Sequence, residues 1–240
     1  MIPDIQFIAF DADDTLWENE SNFQEFEAQF SDVLSMYASK EQLSHELYCT
    51  EMKNLHLYGY GAKGMMLSMI EVICRITKGK TDLHCIDTII KLGQELLQRP
   101  VKLLPNVEEV IQILSAKYQL VLATKGDLLE QKRKISDSGL SKYFYHIEIM
   151  DNKNLAGYQN MFNTLHCSAK DIVMIGNSIK SDILPVLELG GHAIHIPFHT
   201  TWLHEQYSES VVHDKYIQLE HIKQILNYLL PNNLKAAGAL

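Results

Sequence analysis

Hydrophobic residues follow different spacings in three consecutive parts of the chain. Residues 5–10 form a short apolar run, which is typical of a buried strand. Residues 20–98 contain no proline, and their apolar positions recur at the three-and-four spacing of helices. Strand-like runs return only after residue 101. We therefore predict a helical insertion between the first strand and the rest of a strand-containing region.

Four helices are predicted in this insertion. The first covers residues 21–39, and a capping box of Ser39 and Gln42 opens the second, which continues to residue 55. Glycines and tyrosines at 58–61 break the pattern before a third helix, from 62 or 63 to about 77. The fourth begins at an N-cap on Thr81 and stops before Pro100.

Helices and strands alternate beyond residue 105. We predict helices at 107–116, 128–137, 155–165 and 181–189, and strands at 119–123, 145–149, 172–175 and 192–196. This alternation indicates an α/β fold with a Rossmann-like, doubly wound parallel sheet. The predicted sheet domain comprises residues 1–18 and 100–233, and the helical domain comprises 19–99. Residues 234–240 are expected to fray.

Composition narrows the class of protein. Of 240 residues, 46% are hydrophobic, which is enough for a substantial core, and no run of apolar residues is long enough to span a membrane. The net charge of −9 argues against nucleic acid or an anionic membrane as a partner. The four cysteines lack the spacing of a zinc site or a disulfide framework, so we expect reduced, mostly buried thiols in a cytoplasmic protein. The oligomeric state is not predicted.

Three aspartates crowd the end of the first predicted strand: Asp11, Asp13 and Asp14. Like charges a few ångströms apart raise one another's pKa or recruit a positive charge, and Mg²⁺ is the usual partner of carboxylates that handle phosphate. An Asp-rich turn that caps a helix is the alternative. The cluster exceeds what a cap requires, so a cation site is favoured.

Three further segments follow predicted strands and carry polar groups. Thr124, with Gly126 two residues later, offers a hydroxyl and backbone N–H groups at a helix start, which suit phosphate; an ordinary strand-to-helix turn is the alternative. Lys153 is a compact cation that could hold an anion, or a surface lysine. Gly176 frees the backbone at a strand end, and Asp182 either faces the same crevice or decorates a helix N-terminus.

In this order and spacing, the four segments resemble the four motifs of the haloacid dehalogenase-like (HAD) hydrolases. Residues 11–15 match the first motif, Thr124 the second, Lys153 the third and residues 176–182 the fourth. The helical insertion resembles the family's helical cap, so the resemblance covers about residues 5–197. One position departs from the pattern, because Asn177 stands where many members carry an aspartate that binds Mg²⁺.

The resemblance implies a role for each residue. Asp11 would be the nucleophile and Asp13 the general acid and base, with Lys153 offsetting negative charge. The phosphoryl group would be bound by Thr124 and by the neighbouring residues Lys125 and Gly126. Mg²⁺ would be held by Asp11, the Asp13 carbonyl, Asn177 and Asp182.

The predicted substrate-facing loop of the cap lies at residues 58–63. Glycines there allow close backbone approach, and Tyr60 and Lys63 are the candidate substrate contacts. An ordinary turn between helices explains the same residues.

Three functions remain compatible with these residues. The resemblance favours a Mg²⁺-dependent phosphatase that hydrolyses a small phosphorylated metabolite through an aspartyl-phosphate. A 2-haloacid dehalogenase would use the same nucleophile, but Asp13 argues against it, because dehalogenases of this kind lack an aspartate there. A binding or regulatory protein with a degraded site is the third possibility, suggested only by Asn177.

Overall fold

The computed structural model describes residues 5–80 and 83–230, and the chain divides into two compact units. The sheet unit contains residues 5–18, 101–125 and 133–230. The helical unit contains residues 19–80, 83–100 and 126–132. The sequence analysis assigned Pro100 and residues 126–132 to the sheet domain, whereas in the structure they group with the helical unit. The N-cap predicted at Thr81 and the tail at 234–240 lie outside the described residues.

Within residues 5–80 and 83–230, six parallel strands form the sheet in the order β3-β2-β1-β4-β5-β6. They are β1 (Phe7–Phe10), β2 (Gln119–Lys125), β3 (Phe144–Met150), β4 (Ile172–Gly176), β5 (His192–His195) and β6 (Tyr216–Gln218). This arrangement confirms the predicted α/β, Rossmann-like fold. Strand β6 was not predicted, because it has only three residues and none of them is fully buried.

Nine α-helices are assigned within the described residues. They are α1 (Glu20–Val33), α2 (Lys40–Tyr58), α3 (Ala62–Ile76), α4 (Leu83–Gln98), α5 (Val107–Ser115), α6 (Leu128–Asp137), α7 (Leu155–Thr164), α8 (Leu184–Glu188) and α9 (Leu226–Leu229). The predicted helix at 181–189 is instead a wide helical turn, Ile179–Ile183, followed by α8. Wide turns of this kind often occur at functional sites.

Alternation along β1 divides the core between the two faces of the sheet. Successive side chains of a strand point to opposite faces. Ile8 and Phe10 pack into one apolar cluster with α5, whereas Phe7 and Ala9 pack into another with α7. Because both faces are covered, β1 is apolar throughout, as expected for a central parallel strand.

The position of β1 determines where the candidate site lies. Phe10, its last residue, pairs with Leu122 of β2 on one side and with Ile175 of β4 on the other. The strand order changes direction here, and ligands of such sheets bind beyond the carboxyl ends of the strands at this point. The Asp11 backbone N–H donates to the Ile175 carbonyl at 2.9 Å, which places Asp11 at that edge.

The helical unit has its own apolar core. Phe26 and Phe30 of α1 pack there with residues from α2, α3 and α4. The predicted cap at Ser39 is confirmed, since its side chain accepts a hydrogen bond from the Gln42 N–H at 3.3 Å. Helix α1 ends at Val33, earlier than predicted, and turns lead from there to Ser39.

All four cysteines are free thiols. The expectation that most are buried was wrong: Cys49 and Cys74 are exposed, and the other two are partly exposed. Among the described residues, no helix is both long and apolar enough to cross a membrane.

Three glutamates of α1 and α2 lie close together in the helical unit. Burial raises the pKa of Glu51, and the charges of Glu27 and Glu20 raise it further, to about 8. Burial likewise raises the pKa of Glu20 to about 7. Glu20 and Glu51 therefore resist ionisation near neutral pH.

Replacing Glu51 by glutamine should remove part of the pH dependence of stability. Because the folded-state pKa is raised, the native state binds more protons than the unfolded state between about pH 4.5 and 8. Stability should thus fall as pH rises through this window. Glu51→Gln has no such ionisation, so its stability advantage over the native chain should grow with pH.

Urea unfolding at about pH 5 and about pH 8 measures this difference. Glu95→Gln, at an exposed position of α4, is the matched control and should keep the native pH dependence. An identical pH dependence for the native chain and Glu51→Gln would contradict the prediction.

Candidate active site

A tight turn follows β1 and presents the first cluster of acids. The Ala12 carbonyl accepts hydrogen bonds from the backbone N–H groups of Thr15 at 3.3 Å and Leu16 at 2.8 Å. Asp14 adopts a left-handed conformation, with φ of 61°, and its N–H donates to the Trp17 carbonyl at 2.7 Å. Aspartate tolerates this conformation better than most residues. Asp14 thus shapes the turn, while Asp11 and Asp13 project from it.

Lys153 brings together carboxylates from two different strand ends. Its Nζ atom donates to Asp11 Oδ1, after β1, and to Asp182 Oδ1, after β4, the latter at 2.7 Å. All three side chains are buried, with Lys153 only 3% exposed. A buried lysine is stable when it is paired, and here it has two partners.

Two carboxylates share this one ammonium group, and the pKa values reflect the imbalance. Burial raises the pKa of Asp11, and the charge of Asp182 raises it further. Lys153 lowers this pKa only in part, so the pKa of Asp11 is about 7. Burial alone would lower the pKa of Lys153, but Asp11 and Asp182 outweigh it and raise that pKa above its ordinary value. The cluster therefore has an excess of negative charge, which a further cation or a proton would offset.

Gly176 permits the close approach of Asp182. A Cβ atom at Gly176 would lie 2.2 Å from Asp182 Oδ2, a distance that no side chain could accept. The same Oδ2 atom accepts a hydrogen bond from the Ser178 N–H at 2.9 Å. Both oxygens of Asp182 are thus engaged within the protein, one by Lys153 and one by the turn.

Asn177 lies against the first motif. One of its amide atoms is 3.1 Å from Asp11 Oδ2, 3.2 Å from the Asp13 carbonyl oxygen and 3.3 Å from Thr15 Oγ1. With the nitrogen in this position, Asn177 donates to these oxygens. With the amide oxygen there instead, oxygens from Asp11, Asp13 and Asn177 converge, an arrangement that a cation stabilises.

Thr15 also contributes to this arrangement. Its hydroxyl donates to Asp11 Oδ2 at 2.9 Å, so each oxygen of Asp11 has a donor. Among residues 5–80 and 83–230, no three His, Cys, Asp or Glu side chains are grouped to hold a metal ion. The convergent oxygens here differ from such a group because one belongs to an amide and one to the backbone.

Asp13 has partners that the sequence did not suggest. Lys134 Nζ lies 2.7 Å from Asp13 Oδ1 and 2.9 Å from Oδ2, and the Trp17 indole N–H donates to Oδ1 at 2.7 Å. These contacts fix the orientation of the Asp13 carboxylate. Lys134 lies in the last turn of α6, where a lysine is common, so no sequence signal distinguished it.

The second predicted motif ends β2. Thr124 is buried there, one strand away from Asp11. Lys125 Nζ donates to Ser181 Oγ at 2.8 Å and forms an ion pair with Glu205, so its charge is partly offset. Gly126 has φ of +142°, which favours glycine, and groups with the helical unit.

The two predicted loop residues, Tyr60 and Lys63, belong to the helical unit. Lys63 forms an ion pair with Asp127 at 2.7 Å rather than standing alone at the surface. The Glu130 carboxylate accepts a hydrogen bond from the Ala62 N–H at 3.1 Å, which satisfies a donor at the start of α3. These acids follow β2 by a few residues, and sequence reasoning assigned them no role.

The site thus combines a buried carboxylate, a lysine that offsets its charge, a second carboxylate held in orientation, and oxygens that could bind a cation. A nucleophile beside an acid and a cationic group suits displacement chemistry at an electrophilic centre.

The chain is similar to one known protein family. The model of the family described as haloacid dehalogenase-like hydrolase matches residues 5–190. No curated protein matches at a significant level.

Several solved structures are also similar to this chain. A haloacid dehalogenase-like family hydrolase from Xanthomonas campestris is 36% identical, over 92% of this chain and 88% of that chain, with a TM-score of 0.83. HAD-hydrolase YfnB from Bacillus subtilis, described as bound to magnesium, is 15% identical over 95% and 99%, with a TM-score of 0.63. A 2-haloacid dehalogenase from Pseudomonas syringae is 17% identical over 94% and 98%, with a TM-score of 0.63.

Other similar structures include a phosphatase and further dehalogenases. At such low identity these likenesses concern the fold alone. The family model covers most of the chain, and the Xanthomonas campestris relative shares 36% of the aligned residues, so this chain belongs to the haloacid dehalogenase-like hydrolase family.

Proposed function

We propose that this hydrolase is a Mg²⁺-dependent phosphatase that releases phosphate from a small phosphomonoester. The observation that carries the proposal is the pair of acids on the first turn, Asp11 and Asp13. Asp11 is buried against Lys153, whereas Asp13 is held separately by Lys134 and Trp17. Two acids in different environments suit two different roles.

Asp11 is the proposed nucleophile. Its carboxylate attacks phosphorus and forms an aspartyl-phosphate, as the bond from phosphorus to the leaving alcohol breaks. Asp13 gives a proton to that alcohol and then, as the conjugate base, removes a proton from the water that cleaves the aspartyl-phosphate. Lys153 offsets the charge of Asp11 and of the phosphoryl group.

Phosphate binding is proposed for the second motif. The Thr124 hydroxyl and the backbone N–H groups of Lys125 and Gly126 are suitable donors to phosphoryl oxygens, since they lie where β2 ends and precede α6. Lys125 itself is held by Ser181 and Glu205, so its backbone is a better candidate than its side chain.

The residues present fit a magnesium ion. Oxygens of Asp11 and the Asp13 carbonyl converge on the Asn177 amide, which would turn its oxygen towards a bound ion, and the cluster has one ammonium group for two carboxylates. Hard oxygen donors and spare negative charge are what Mg²⁺ prefers. When bound, the ion would supply positive charge to the phosphoryl group. Asp182 remains a proposed ligand, and it also holds Lys153 through one oxygen and accepts a hydrogen bond from the Ser178 N–H through the other.

Dehalogenation of a 2-haloacid is the second candidate, because a 2-haloacid dehalogenase is among the similar structures. Both reactions use an attacking aspartate. Only the phosphatase needs a group that protonates an alcohol, and Asp13 is placed beside Asp11 on the same turn. We therefore prefer the phosphatase. A purely regulatory role would leave this set of residues without a use.

The helical unit is proposed to serve as the cap that selects the substrate, with Tyr60 and Lys63 as candidate contacts. A small phosphorylated metabolite is the proposed partner, rather than nucleic acid or a membrane, in keeping with the net charge of −9.

Asp11→Asn should abolish phosphate release. The native protein should hydrolyse p-nitrophenyl phosphate with Mg²⁺ and lose that activity in excess EDTA. The amide cannot attack phosphorus, so kcat should fall by at least about a thousand-fold in the variant. Asp137→Asn, at an exposed position of α6, is the matched control and should keep full activity.

Two results would reject the phosphatase assignment. One is full activity in Asp11→Asn or in EDTA. The other is halide release from 2-chloropropionate by the native protein without hydrolysis of any phosphate ester, which would establish the dehalogenase instead.

Asn177→Asp should strengthen Mg²⁺ binding and lower the stability of the metal-free protein. The change adds a negative oxygen ligand, so the dissociation constant should fall by about ten-fold. It also removes the hydrogen bond that the amide donates to Asp11 and brings two carboxylates together. Isothermal titration with Mg²⁺ and melting temperatures with and without the ion measure both effects.

Asn163→Asp, at an exposed position of α7, controls for the added charge. Equal or weaker Mg²⁺ binding by Asn177→Asp would count against Asn177 as a ligand.

Lys153→Met should strongly destabilise the fold. Methionine preserves the apolar stem but leaves Asp11 and Asp182 as buried charges without their cation, which costs about 3–5 kcal/mol. The matched control is Lys223→Met, whose ion pair with Glu109 is half exposed and should contribute at most about 1 kcal/mol. Urea unfolding measures both, and similar losses would contradict the central role of Lys153.

A further inference from the structure

Glu205 lies in the long connection between β5 and β6. It ends a short helical turn, Leu203–Glu205, which closes through a hydrogen bond from the Glu205 N–H to the Trp202 carbonyl at 2.9 Å. The side chain of Glu205 is only 12% exposed, although most of this connection lies at the surface. No motif of the sequence assigned it a role.

Three side chains from two strand ends bind the Glu205 carboxylate. Lys125 Nζ, at the end of β2, donates to Oε1. The hydroxyls of Ser178 and Ser181, in the turn after β4, donate to Oε2, the latter at 2.7 Å. Lys125 and Ser181 also bond to each other at 2.8 Å, so the four groups form a closed network.

The charge of Glu205 is well compensated. Burial would raise its pKa, but Lys125 and the two serine hydroxyls outweigh burial and lower that pKa to about 2. Charge-assisted hydrogen bonds of this kind are stronger than neutral ones. Glu205 is therefore ionised near neutral pH, and its charge-assisted hydrogen bonds to Lys125, Ser178 and Ser181 are maintained.

The network connects directly to the candidate active site. The Ser178 N–H donates to Asp182 Oδ2 at 2.9 Å, and Asp182 in turn holds Lys153, the partner of Asp11. Asn177 immediately precedes Ser178 in the same turn. A second contact anchors the connection, because Lys180 Nζ donates to the His204 carbonyl at 2.9 Å.

We propose that Glu205 is a positioning residue of the active site. It holds the turn of residues 177–182, and through this turn it places the amide of Asn177 and the carboxylate of Asp182. By binding Lys125 it also fixes the strand end that carries Thr124. The inference rests on the proposed function in one respect, that Asn177 is a ligand of Mg²⁺.

The test compares Glu205→Gln with the native full-length protein, using Mg²⁺ alone as the probe. Glutamine keeps the size of the side chain and removes its charge. The Mg²⁺ dissociation constant should rise by about ten-fold or more, as for other residues that orient metal ligands. Hydrogen–deuterium exchange should become faster in the peptide that spans residues 177–183, while the protein remains folded at the assay temperature.

Two further variants sharpen the comparison. Glu209→Gln, at an exposed position of the same connection, should leave Mg²⁺ binding and exchange unchanged. Ser181→Ala removes one donor to Glu205, but Glu205 keeps its ion pair with Lys125. This variant should therefore show a smaller rise in the Mg²⁺ dissociation constant and a smaller increase in exchange. If Glu205→Gln does not fold, Ser181→Ala decides the question.

Native Mg²⁺ affinity together with native exchange in the folded variants would overturn the proposal. So would an equal effect in Glu209→Gln. If the native protein binds Mg²⁺ but hydrolyses no phosphate ester, the proposed function fails while these measurements still test Glu205. If the native protein binds no Mg²⁺, the proposal is tested by hydrogen–deuterium exchange of the 177–183 peptide alone, which should be faster in Glu205→Gln than in the native protein.

Discussion

The buried ammonium group of Lys153 is the interaction on which the candidate site depends. It is the common partner of Asp11 and Asp182, which belong to different strand ends and would otherwise repel each other in a medium of low dielectric constant. One positive charge for two negative charges leaves an imbalance, which raises the pKa of Asp11 to about 7. The surrounding donors reduce this imbalance without removing it: Thr15 donates to Asp11, and the Ser178 backbone donates to Asp182.

The parallel sheet makes this arrangement possible. Strand β1 lies between β2 and β4, so the residues that follow these strands meet at one edge although they are far apart in sequence. Two backbone features allow the side chains at this edge to come close together. Asp14 adopts a left-handed conformation that turns the chain after β1, and Gly176 leaves the space that Asp182 occupies. A side chain at 176 would displace Asp182 and hence Lys153.

Much of the architecture was predictable because it depends on local patterns. Apolar runs predicted five of the six strands, and helical spacing predicted the helices of the insertion, with Ser39 as a cap. The resemblance to the family placed Asp11, Lys153 and Asp182 in one site, and in the structure Lys153 contacts both carboxylates because a parallel sheet gathers the residues that follow its strands. Strand β6 and the wide turn before α8 were missed, since a three-residue strand and an irregular turn leave little periodic signal.

The sequence by itself determined the fold class and the order of the polar segments, because these follow from hydrophobic spacing and from which residues come after each strand. The proposed reacting groups were named by the resemblance to the family. Only the tertiary structure decided the partners of those groups. Lys134 binds Asp13, and Glu205 binds Lys125, over long separations in sequence. A lysine or a glutamate on a helix or loop carries no local mark of its partner, since an ion pair depends on distance in space and on shared burial rather than on spacing along the chain.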